Sequence, residues 1–369
     1  MTTGRSVTDE REDIERELIR LRGEGVAPGG VLTAAVGGET VLEAPFGRFA
    51  YAPWSPRVRA ETWWDLASLT KPLATALAVL VLVGRGRLTL EAELGAVLDG
   101  VSADKAAITL RQLLAHCGGL AAHRPYAEAV ARLAPAERAA EVRRLLLAEP
   151  LAAAPGSVEI YSDLGFILLG WVVEAVTGRA FPEAVADLVL APLGASGLGF
   201  AADVPPGGAA PTGWCPLRGR LLQGEVHDAN AWALGGAAGH AGLFGTAAGV
   251  RRLLLRLLEL AAGRRVHPDL PADLVREAFR RQDLVPGGTR ALGFDTPSAE
   301  GSSAGTRLSR ESAGHLGFTG TSFWMDLDRE VVVVLLTNRT FPDASPASQE
   351  GLRRWRPRLH DLVLEVFQP

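Results

Sequence analysis

Cysteine is almost absent from this sequence, and its scarcity bears on where the protein works. The 369 residues include only Cys117 and Cys215, too few for a disulfide framework. Two isolated thiols suit a reducing compartment at least as well as they suit a single bridge. The first 25 residues are rich in charge where a secretory signal would need a continuous apolar segment. We therefore expect a cytoplasmic protein.

An excess of basic residues and a long hydrophobic segment are also missing. The formal net charge is -4, and no part of the chain shows the basic stripe that nucleic-acid binding requires. The longest apolar run, residues 72–83, is about half the ~20 residues needed to cross a bilayer, so it predicts a buried helix. We expect no nucleic-acid partner and no membrane partner. A small-molecule ester, amide or peptide substrate is the expected partner.

Lysine is scarce relative to arginine. Of the 38 basic residues only Lys71 and Lys105 are lysines. An arginine side chain stays protonated in proteins, whereas a buried lysine can shift its pKa and accept a proton. The lysine at position 71 is therefore a candidate for proton transfer.

The elements that the sequence does contain predict a mixed fold. Hydrophobic residues make up 47% of the chain, enough to bury a large core that we expect to divide into two lobes. Strand patterns occur towards both ends, at residues 30–43, 317–326 and 330–338. Helical patterns occupy residues 8–24, 68–83, 108–116, 125–149, 162–177, 247–262 and 347–367.

This distribution predicts an α+β fold whose sheet is built from both ends of the chain. Residues 1–75 and 249–369 are expected to form a discontinuous sheet domain, and residues 76–248 a mainly helical domain. A cleft between two such lobes is a common location for a small-molecule site.

The segment Ser68-Leu69-Thr70-Lys71 is a Ser-x-x-Lys at the start of a predicted helix, with Pro72 in the first turn. Residues three apart on a helix share a face, so the two side chains can meet. A serine hydroxyl becomes a nucleophile when a base takes its proton, and a lysine with a lowered pKa can be that base. The alternative is that Ser68 caps the helix and Lys71 is a surface lysine.

The second candidate segment is Tyr161-Ser162-Asp163, which precedes an apolar helix. A tyrosine in the helical lobe could face the serine across the cleft and relay a proton to a leaving group. The alternative is an ordinary core tyrosine, with Asp163 as the helix cap.

The third candidate is His315-Leu316-Gly317, at the entry to the first predicted C-terminal strand. A strand glycine lets a ligand approach the backbone, and an N–H at the strand edge can bind an oxyanion. The alternative is a β-turn with a solvated histidine.

The first two segments resemble motifs of the superfamily of serine β-lactamases and penicillin-binding proteins, which includes class C-like enzymes, D-Ala-D-Ala carboxypeptidases and esterases. Ser68 and Lys71 match its Ser-x-x-Lys motif. Tyr161 matches the tyrosine of its Tyr-x-Asn motif, and Asp163 stands where asparagine is usual.

The third segment is similar to the histidine form of the family's Lys-Thr-Gly motif. His315 and Gly317 match it, with Leu316 in place of threonine, a form closer to carboxypeptidase and esterase relatives than to efficient β-lactamases. The resemblance covers roughly residues 25 to 368. It implies a β-lactamase/transpeptidase-like fold, in which helices flank an antiparallel sheet and the active site lies in the cleft beside a mainly helical lobe.

The resemblance also implies a serine hydrolase that forms an acyl-enzyme with a small ester or amide and needs no cofactor. Lys71 would take the proton of Ser68, and Tyr161 would help to move protons. The backbone N–H of Ser68 and the strand after Gly317 would hold the oxyanion. The substrate contacts would come from Asp163, His315 and Gly317.

Two other functions remain open. Residues 227–230 and 239–242 are similar to segments of relatives that act on muropeptides or D-amino-acid amides, which implies an amidase or carboxypeptidase of cell-wall recycling. The other function, from a different class, is a non-catalytic sensor, similar to penicillin-binding proteins, that acylates slowly or only binds.

Histidine is too dispersed in the sequence to predict a metal site. Five of the seven histidines fall in the helical lobe or the cleft strand, at positions 116, 123, 227, 240 and 315. There is no His-Glu-x-x-His and no tight pair with metal-ligand spacing. We therefore expect no catalytic metal.

Overall fold

The structure is a computed structural model of the chain, and it describes residues 7–368. Residues 1–6 and Pro369, which the sequence assigns to the sheet domain, lie outside the described residues. The division of the chain into domains at residues 75 and 249 stays a prediction.

Strands and helices alternate irregularly along the chain. The strands are β1 (Gly29–Val36), β2 (Glu39–Gly47), β3 (Trp64–Asp65), β4 (Leu198–Gly199), β5 (Gly213–Cys215), β6 (Arg220–Leu222), β7 (Phe244–Gly245), β8 (Ser312–Leu316), β9 (Ser322–Asp326) and β10 (Val331–Thr337). The α-helices are α1 (Val7–Gly23), α2 (Leu77–Gly84), α3 (Leu94–Val97), α4 (Ala103–Ala106), α5 (Leu110–Leu114), α6 (Tyr126–Val130), α7 (Pro135–Ala148), α8 (Asp163–Thr177), α9 (Phe181–Val185), α10 (Ala229–Ala233), α11 (Ala247–Ala261), α12 (Ala272–Phe279) and α13 (Pro346–Phe367). The 3₁₀ turns are Ala67–Leu69 and Ala201–Asp203, and the π-helical turns are Lys71–Ala76 and Ala186–Leu190.

The main sheet has five antiparallel strands in the order β2-β1-β10-β9-β8. Its central strand β10 is buried along its whole length, as the unbroken apolar run Val331–Leu336 predicts. Because β1 and β10 are neighbours, the two ends of the chain share one sheet. The predicted antiparallel sheet with flanking helices is confirmed.

Helices cover both faces of this sheet. On one face, α1 and α13 pack against the strands through Ile14, Leu18 and Leu359. On the other face, Leu253 and Leu257 of α11 join a larger core that continues into the helical region. The sheet is therefore a rigid base on which the helical region rests.

Helix α8 is central to the helical region. Its residues Leu164–Val173 are buried, and Oγ of Ser162 caps it by accepting the N–H of Gly165 at 3.2 Å. The helix ends at Gly178, which has the left-handed φ of 69° typical of a C-terminal cap. Its N-terminal end faces the π-helical turn Lys71–Ala76, which brings the first two motifs together.

Two predicted helices are less regular than the sequence indicates. The segment 68–83 begins with the 3₁₀ and π-helical turns, and the α-helix starts only at Leu77. Pro72 has no N–H to donate, which weakens regular α-helical bonding there. The predicted helix at 125–149 is interrupted at residues 131–134, where Pro135 begins α7 anew.

The predicted strand at 317–326 is wrong in its first half. Strand β8 ends at Leu316, residues 317–321 form a turn, and β9 begins at Ser322. Gly320 in this turn has a φ of 103°, a conformation that residues with a side chain rarely adopt. His315 therefore lies within a strand, near its end.

The apolar helical stretch that begins near Ser68 is longer than the run of residues 72–83 noted in the sequence. Residues 67–84 form an 18-residue stretch that could span a membrane by length and composition, but 83% of it is buried inside the protein. The bent pair Asp163–Thr177 and Phe181–Leu190 passes the same test if taken as one span. The absence of a membrane partner stays a prediction.

Candidate active site

Ser68 lies in the 3₁₀ turn between β3 and α2. The preceding Ala67 has a φ of 48°, in the left-handed region that non-glycine residues seldom adopt. The carboxylate of Asp65 accepts the N–H of Ala67 at 2.8 Å and helps to hold this backbone. Strained residues of this kind cluster at active sites, where the surroundings fix them.

Lys71 contacts Ser68, and its side chain is fully buried. Its Nζ donates to Oγ of Ser68 at 2.8 Å, to Oδ1 of Asp163 at 2.7 Å and to the carbonyl oxygen of His240 at 3.3 Å. The structure therefore contains the Ser68–Lys71 contact that the spacing predicts. It does not place Lys71 on the surface.

Lys71 and Asp163 each stabilise the charged form of the other. Burial alone would lower the pKa of Lys71, but the carboxylate of Asp163, followed by Tyr161, raises it above its usual value. Burial would raise the pKa of Asp163, but Lys71 and then His123 hold it well below its usual range. At neutral pH this pair is an ammonium beside a carboxylate. The sequence suggests a lowered pKa for Lys71, whereas its surroundings in the structure raise this pKa.

Tyr161 lies between Lys71 and the end of β8. The centre of its ring is 4.8 Å from Nζ of Lys71 and 5.9 Å from the centre of the His315 ring. The ring of His116 packs on it at 4.6 Å, and the guanidinium carbon of Arg290 is 5.2 Å from its centre. Tyr161 is thus in position to act on groups bound near Ser68.

His315 is buried at the end of β8. Its Nδ1 lies 2.8 Å from the carbonyl oxygen of Leu316, a contact that requires the proton on Nδ1. Burial, followed by the charges of Lys71 and Arg290, lowers its pKa well below the usual value, so the ring is neutral at neutral pH. Its Nε2 has no hydrogen-bond partner within residues 7–368 and can accept one from a ligand.

Gly317 is needed for close approach of two backbones. A Cβ on this residue would lie 2.0 Å from Oγ1 of Thr321 and 2.8 Å from the carbonyl oxygen of Leu66. Its own N–H donates to the carbonyl oxygen of Thr321 at 2.8 Å. In the part of the chain that the structure describes, the N–H groups of Phe318 and Ser68 donate no hydrogen bond, so these two can receive an oxyanion.

Side-chain hydrogen bonds hold the turn after β8 against Asp65 and Leu66, which precede Ser68. Oγ1 of Thr319 donates to the carbonyl oxygen of Asp65 at 2.7 Å. Oγ1 of Thr321 donates to the carbonyl oxygen of Leu66 at 3.1 Å. Ser68 and the turn at residues 317–321 therefore belong to one rigid unit.

Asp65 was not among the residues singled out from the sequence. Besides Ala67, its carboxylate accepts the N–H of His227 at 2.6 Å, so it joins the serine loop to a segment 162 residues away. Its complete burial raises its pKa to about 6, against the effect of these two bonds. The sequence signal was one acidic residue within the apolar run Trp63-Trp64-Asp65-Leu66-Ala67.

A cavity of about 740 Å³ brings the predicted residues together. Its wall includes Ser68, Tyr161, Asp163, His315 and Gly317. A cavity of this volume accommodates a small-molecule or short peptide ligand.

Two arginines at one side of this cavity were also missed. Arg339 and Arg356 line it and are only 4% and 6% exposed, yet neither pairs with a carboxylate among the described residues. Burial lowers the pKa of both, to about 9 for Arg356. Arg356 donates to the carbonyl oxygen of Thr321 at 3.1 Å, and the guanidinium carbon of Arg339 lies 4.7 Å from the centre of the Phe318 ring. Two unpaired guanidinium groups favour an anionic ligand here.

Three histidines near the cavity bind a carboxylate or a backbone group through their rings. His240 Nε2 lies 2.8 Å from Oδ1 of Asp228, and His123 Nδ1 lies 3.5 Å from Oδ2 of Asp163. His116 accepts the N–H of Ser162 at 3.0 Å. Among residues 7–368, no group of histidine, cysteine and acidic side chains has the geometry to hold a metal ion.

Comparison with known proteins identifies the family and agrees with the fold. The family model described as Beta-lactamase matches residues 13–354, most of the chain. The chain belongs to the β-lactamase family. This is a family of serine hydrolases, and the helix-flanked antiparallel sheet is the fold of its members.

Curated relatives carry the names of a carboxypeptidase and an amidase. The chain is 30% identical over 318 residues to the putative D-alanyl-D-alanine carboxypeptidase of Escherichia coli strain K12, covering 79% of this chain and 72% of that protein. It is 28% identical over 361 residues to the N-acetylmuramyl-L-alanine amidase of Bacillus subtilis strain 168, covering 88% and 81%. The crystal structure of a class C β-lactamase superposes with a TM-score of 0.72 at 15% identity, covering 97% of this chain and 99% of that one.

Proposed function

We propose that this protein is a serine hydrolase that transfers the acyl group of an amide to Ser68 and then releases it to water. The observation that carries the proposal is the 2.8 Å contact between Oγ of Ser68 and Nζ of Lys71 at the wall of a 740 Å³ cavity. Two N–H donors without partners, on Ser68 and Phe318, support it. Nucleophile, proton carrier and oxyanion site are the parts that acyl transfer requires.

The reaction proceeds in two halves. Oγ of Ser68 attacks the carbonyl carbon as its proton passes to Lys71, and the N–H groups of Ser68 and Phe318 bind the oxyanion. The bond to the leaving amine then breaks as the amine takes a proton from Lys71 or from Tyr161. Water attacks the resulting ester by the same route, which releases the acid and returns the proton to Ser68.

The substrate class we propose is an amide that carries a carboxylate, such as a D-amino-acid peptide or a muropeptide. Arg339 and Arg356 support this choice over a small neutral ester, because a bound carboxylate would give these buried guanidinium groups a counter-charge. The relatives named as a carboxypeptidase and an amidase support it independently.

A fluorophosphonate probe followed by intact-protein mass measurement tests whether Ser68 is an activated nucleophile. We expect one adduct on the wild type, none on Ser68→Ala, and one on Ser102→Ala. Ser102 is a matched control because its hydroxyl also meets a lysine ammonium, that of Lys105, at 2.8 Å. Folded wild-type protein without an adduct would contradict the proposed function.

A substrate panel tests the proposed class. It should contain D-Ala-D-Ala peptides, muramyl peptides, p-nitrophenyl esters and a chromogenic cephalosporin. We expect the largest kcat/KM for an amide with a free carboxylate. A larger kcat/KM for neutral esters would overturn the substrate class, and an adduct that persists on every substrate would favour a sensor over an enzyme.

A further inference from the structure

Asp163 stands where the family motif usually has asparagine, and this difference places a carboxylate against Lys71. Its Oδ1 accepts from Nζ at 2.7 Å, the shortest of the three contacts that this Nζ makes in the described chain. The side chain of Lys71 is fully buried, while that of Asp163 is 19% exposed to the cavity. An asparagine here could hydrogen-bond the lysine but could not neutralise it.

The present arrangement leaves the serine without a base. An ammonium has three donors and no acceptor, so Lys71 cannot take the proton of Ser68 until it has lost one. Of its three partners, the carbonyl of His240 is a poor proton acceptor and the hydroxyl of Ser68 is the group to be deprotonated. Among these three partners, the carboxylate of Asp163 is the one that can readily receive a proton from this lysine.

We propose that Asp163 controls when Lys71 becomes a base, by holding it as an ammonium until substrate enters and then accepting one of its protons. This inference rests on the proposed function of Ser68 as the acylated nucleophile. It makes Asp163 a positioning residue that acts through Lys71, in addition to any contact with substrate.

Substrate entry supplies the driving force. A ligand over Ser68 covers the exposed part of Asp163 and removes water from its carboxylate, while Lys71 is already fully buried. Desolvation disfavours an ion pair relative to the neutral pair of an amine and a carboxylic acid. The proton therefore moves from Nζ to Oδ1 more easily in the complex than in the free enzyme.

The proton count closes over one acylation. Lys71 gives a proton to Asp163, then accepts the proton of Ser68 as the bond from Oγ to the carbonyl carbon forms. When the bond to the leaving amine breaks, Lys71 gives that second proton to the amine. The proton on Asp163 then returns to Lys71, and the ion pair is restored without any added reactant.

Several other groups act on this pair and must be counted in its pH dependence. His123, half exposed at the cavity, lies 3.5 Å from Oδ2 of Asp163, which raises the pKa of this histidine. When protonated, His123 shares the charge of the carboxylate and weakens its hold on Lys71. The remaining charged or titratable groups facing the pair are Tyr161, His116, His240, Asp228, Arg290 and His315.

The scarcity of lysine allows a direct test that does not depend on activity. Protein labelled with ¹³C at lysine Cε gives only two signals, from Lys71 and Lys105, and Lys105→Arg assigns them. We expect Lys71 to titrate above its usual range in the wild type. In Asp163→Asn we expect its pKa to fall by about one to three units, because burial is no longer opposed by the carboxylate.

Asp269→Asn is the matched control, since Asp269 is about as exposed as Asp163 and also pairs with a basic side chain, that of Arg85 at 2.8 Å, but lies outside the cavity and does not contact Lys71. It should leave the titration of Lys71 unchanged. An unchanged titration in Asp163→Asn would overturn the inference even if the wild type is fully active.

The pH profile of Ser68 acylation separates this role from substrate binding. We expect the rising limb for Asp163→Asn to move to lower pH by the same shift that the lysine titration shows. If Asp163 served only as a substrate contact, the variant would raise KM and leave this limb in place, which would contradict the inference. Absence of acylation in the wild type would instead refute the proposed function, whatever the lysine titration shows.

Discussion

Two Ser-x-x-Lys segments occur in this chain, and their local geometry is nearly the same. Nζ of Lys71 donates to Ser68 across 2.8 Å, and Nζ of Lys105 donates to Ser102 across the same distance. Both lysines are almost completely buried. Spacing and contact alone therefore do not distinguish a nucleophile from a structural serine.

The surroundings of the two pairs do distinguish them. Ser102 precedes the short helix α4, and neither it nor Lys105 lines the cavity of about 740 Å³. The carboxylate nearest to Lys105 is that of Asp104, at 3.3 Å and 46% exposed, whereas Asp163 meets Lys71 at 2.7 Å beside the cavity. A carboxylate 2.7 Å from the lysine and room for a ligand distinguish the Ser68 pair from the Ser102 pair.

The largest expected effect is a loss of kcat, which we expect on substituting Lys71 but not on substituting Lys105. Lys71→Ala should lower kcat for the best substrate on the order of 10²- to 10⁴-fold, because the variant lacks the proton carrier that contacts Oγ of Ser68. Lys105→Ala should leave kcat within a factor of two or so of wild type, since that pair lies outside the cavity. Steady-state kinetics, with thermal unfolding to confirm that each variant is folded, provide the measurement. Equal losses in both variants would contradict the distinction.

The carboxylate of Asp65 holds the backbone next to Ser68 by accepting the N–H of Ala67. Substituting Asp65 tests what this residue contributes to stability. Because burial raises its pKa from a usual value near 4 to about 6, the folded state binds its proton more tightly than the unfolded state. Its contribution to stability is therefore fully present below about pH 4 and is lost as pH rises from about 4 to about 6. The decline amounts to about 3 kcal/mol for a shift of two units.

The prediction compares wild type and Asp65→Asn across pH. The free energy of unfolding of the wild type, relative to that of the variant, should fall by about 3 kcal/mol between pH 4 and pH 7. Denaturant unfolding at several pH values measures it. The same difference at every pH would show that the raised pKa of Asp65 is wrong.

The smallest expected effect concerns Arg339, which lines the same cavity as Ser68. Arg339→Ala should raise KM for a carboxylate-bearing amide by about 10- to 100-fold, the usual cost of losing a hydrogen bond to a charged group. The KM for a neutral ester should stay unchanged.

Arg353→Ala is the control for this prediction. Arg353 also lines the cavity, but it is exposed and lies 3.6 Å from Glu350, so its loss should matter less. Similar increases in KM for charged and neutral substrates would show that Arg339 shapes the cavity without recognising an anion.

Much of the fold could be predicted from the sequence because the signals are local. The run Val331–Leu336 predicts a strand buried on both faces, and the turn Gly37-Gly38 predicts the hairpin of β1 and β2. The boundary between β8 and β9 was missed because it depends on Gly320, whose φ is visible only in the structure.

The candidate site was predictable where its contacts are local. The meeting of Ser68 and Lys71 follows from three-residue spacing, even though the turn there is 3₁₀ and π-helical. The contact between Lys71 and Asp163 spans 92 residues, so no spacing rule reveals it. The resemblance predicts that Asp163 contacts the substrate, whereas the structure pairs it with Lys71.

The arginines of the cavity were missed for a different reason. This chain uses arginine almost everywhere in place of lysine, so Arg339 and Arg356 do not stand out by composition. Their significance lies in burial without a paired carboxylate, a property of the folded chain. Asp65 is similar, since its two N–H donors come from distant or strained backbone.

The most direct test of the account compares the two serines within one sample. Wild-type protein is treated with a fluorophosphonate probe and digested, and the adduct is quantified on the peptides that carry Ser68 and Ser102. We predict modification of Ser68 alone because, of these two lysine-bonded serines, Ser68 lines the cavity of about 740 Å³ and Ser102 does not. Equal modification of both serines, or modification of neither in folded protein, would contradict the claim that the surroundings of Ser68 make it the nucleophile.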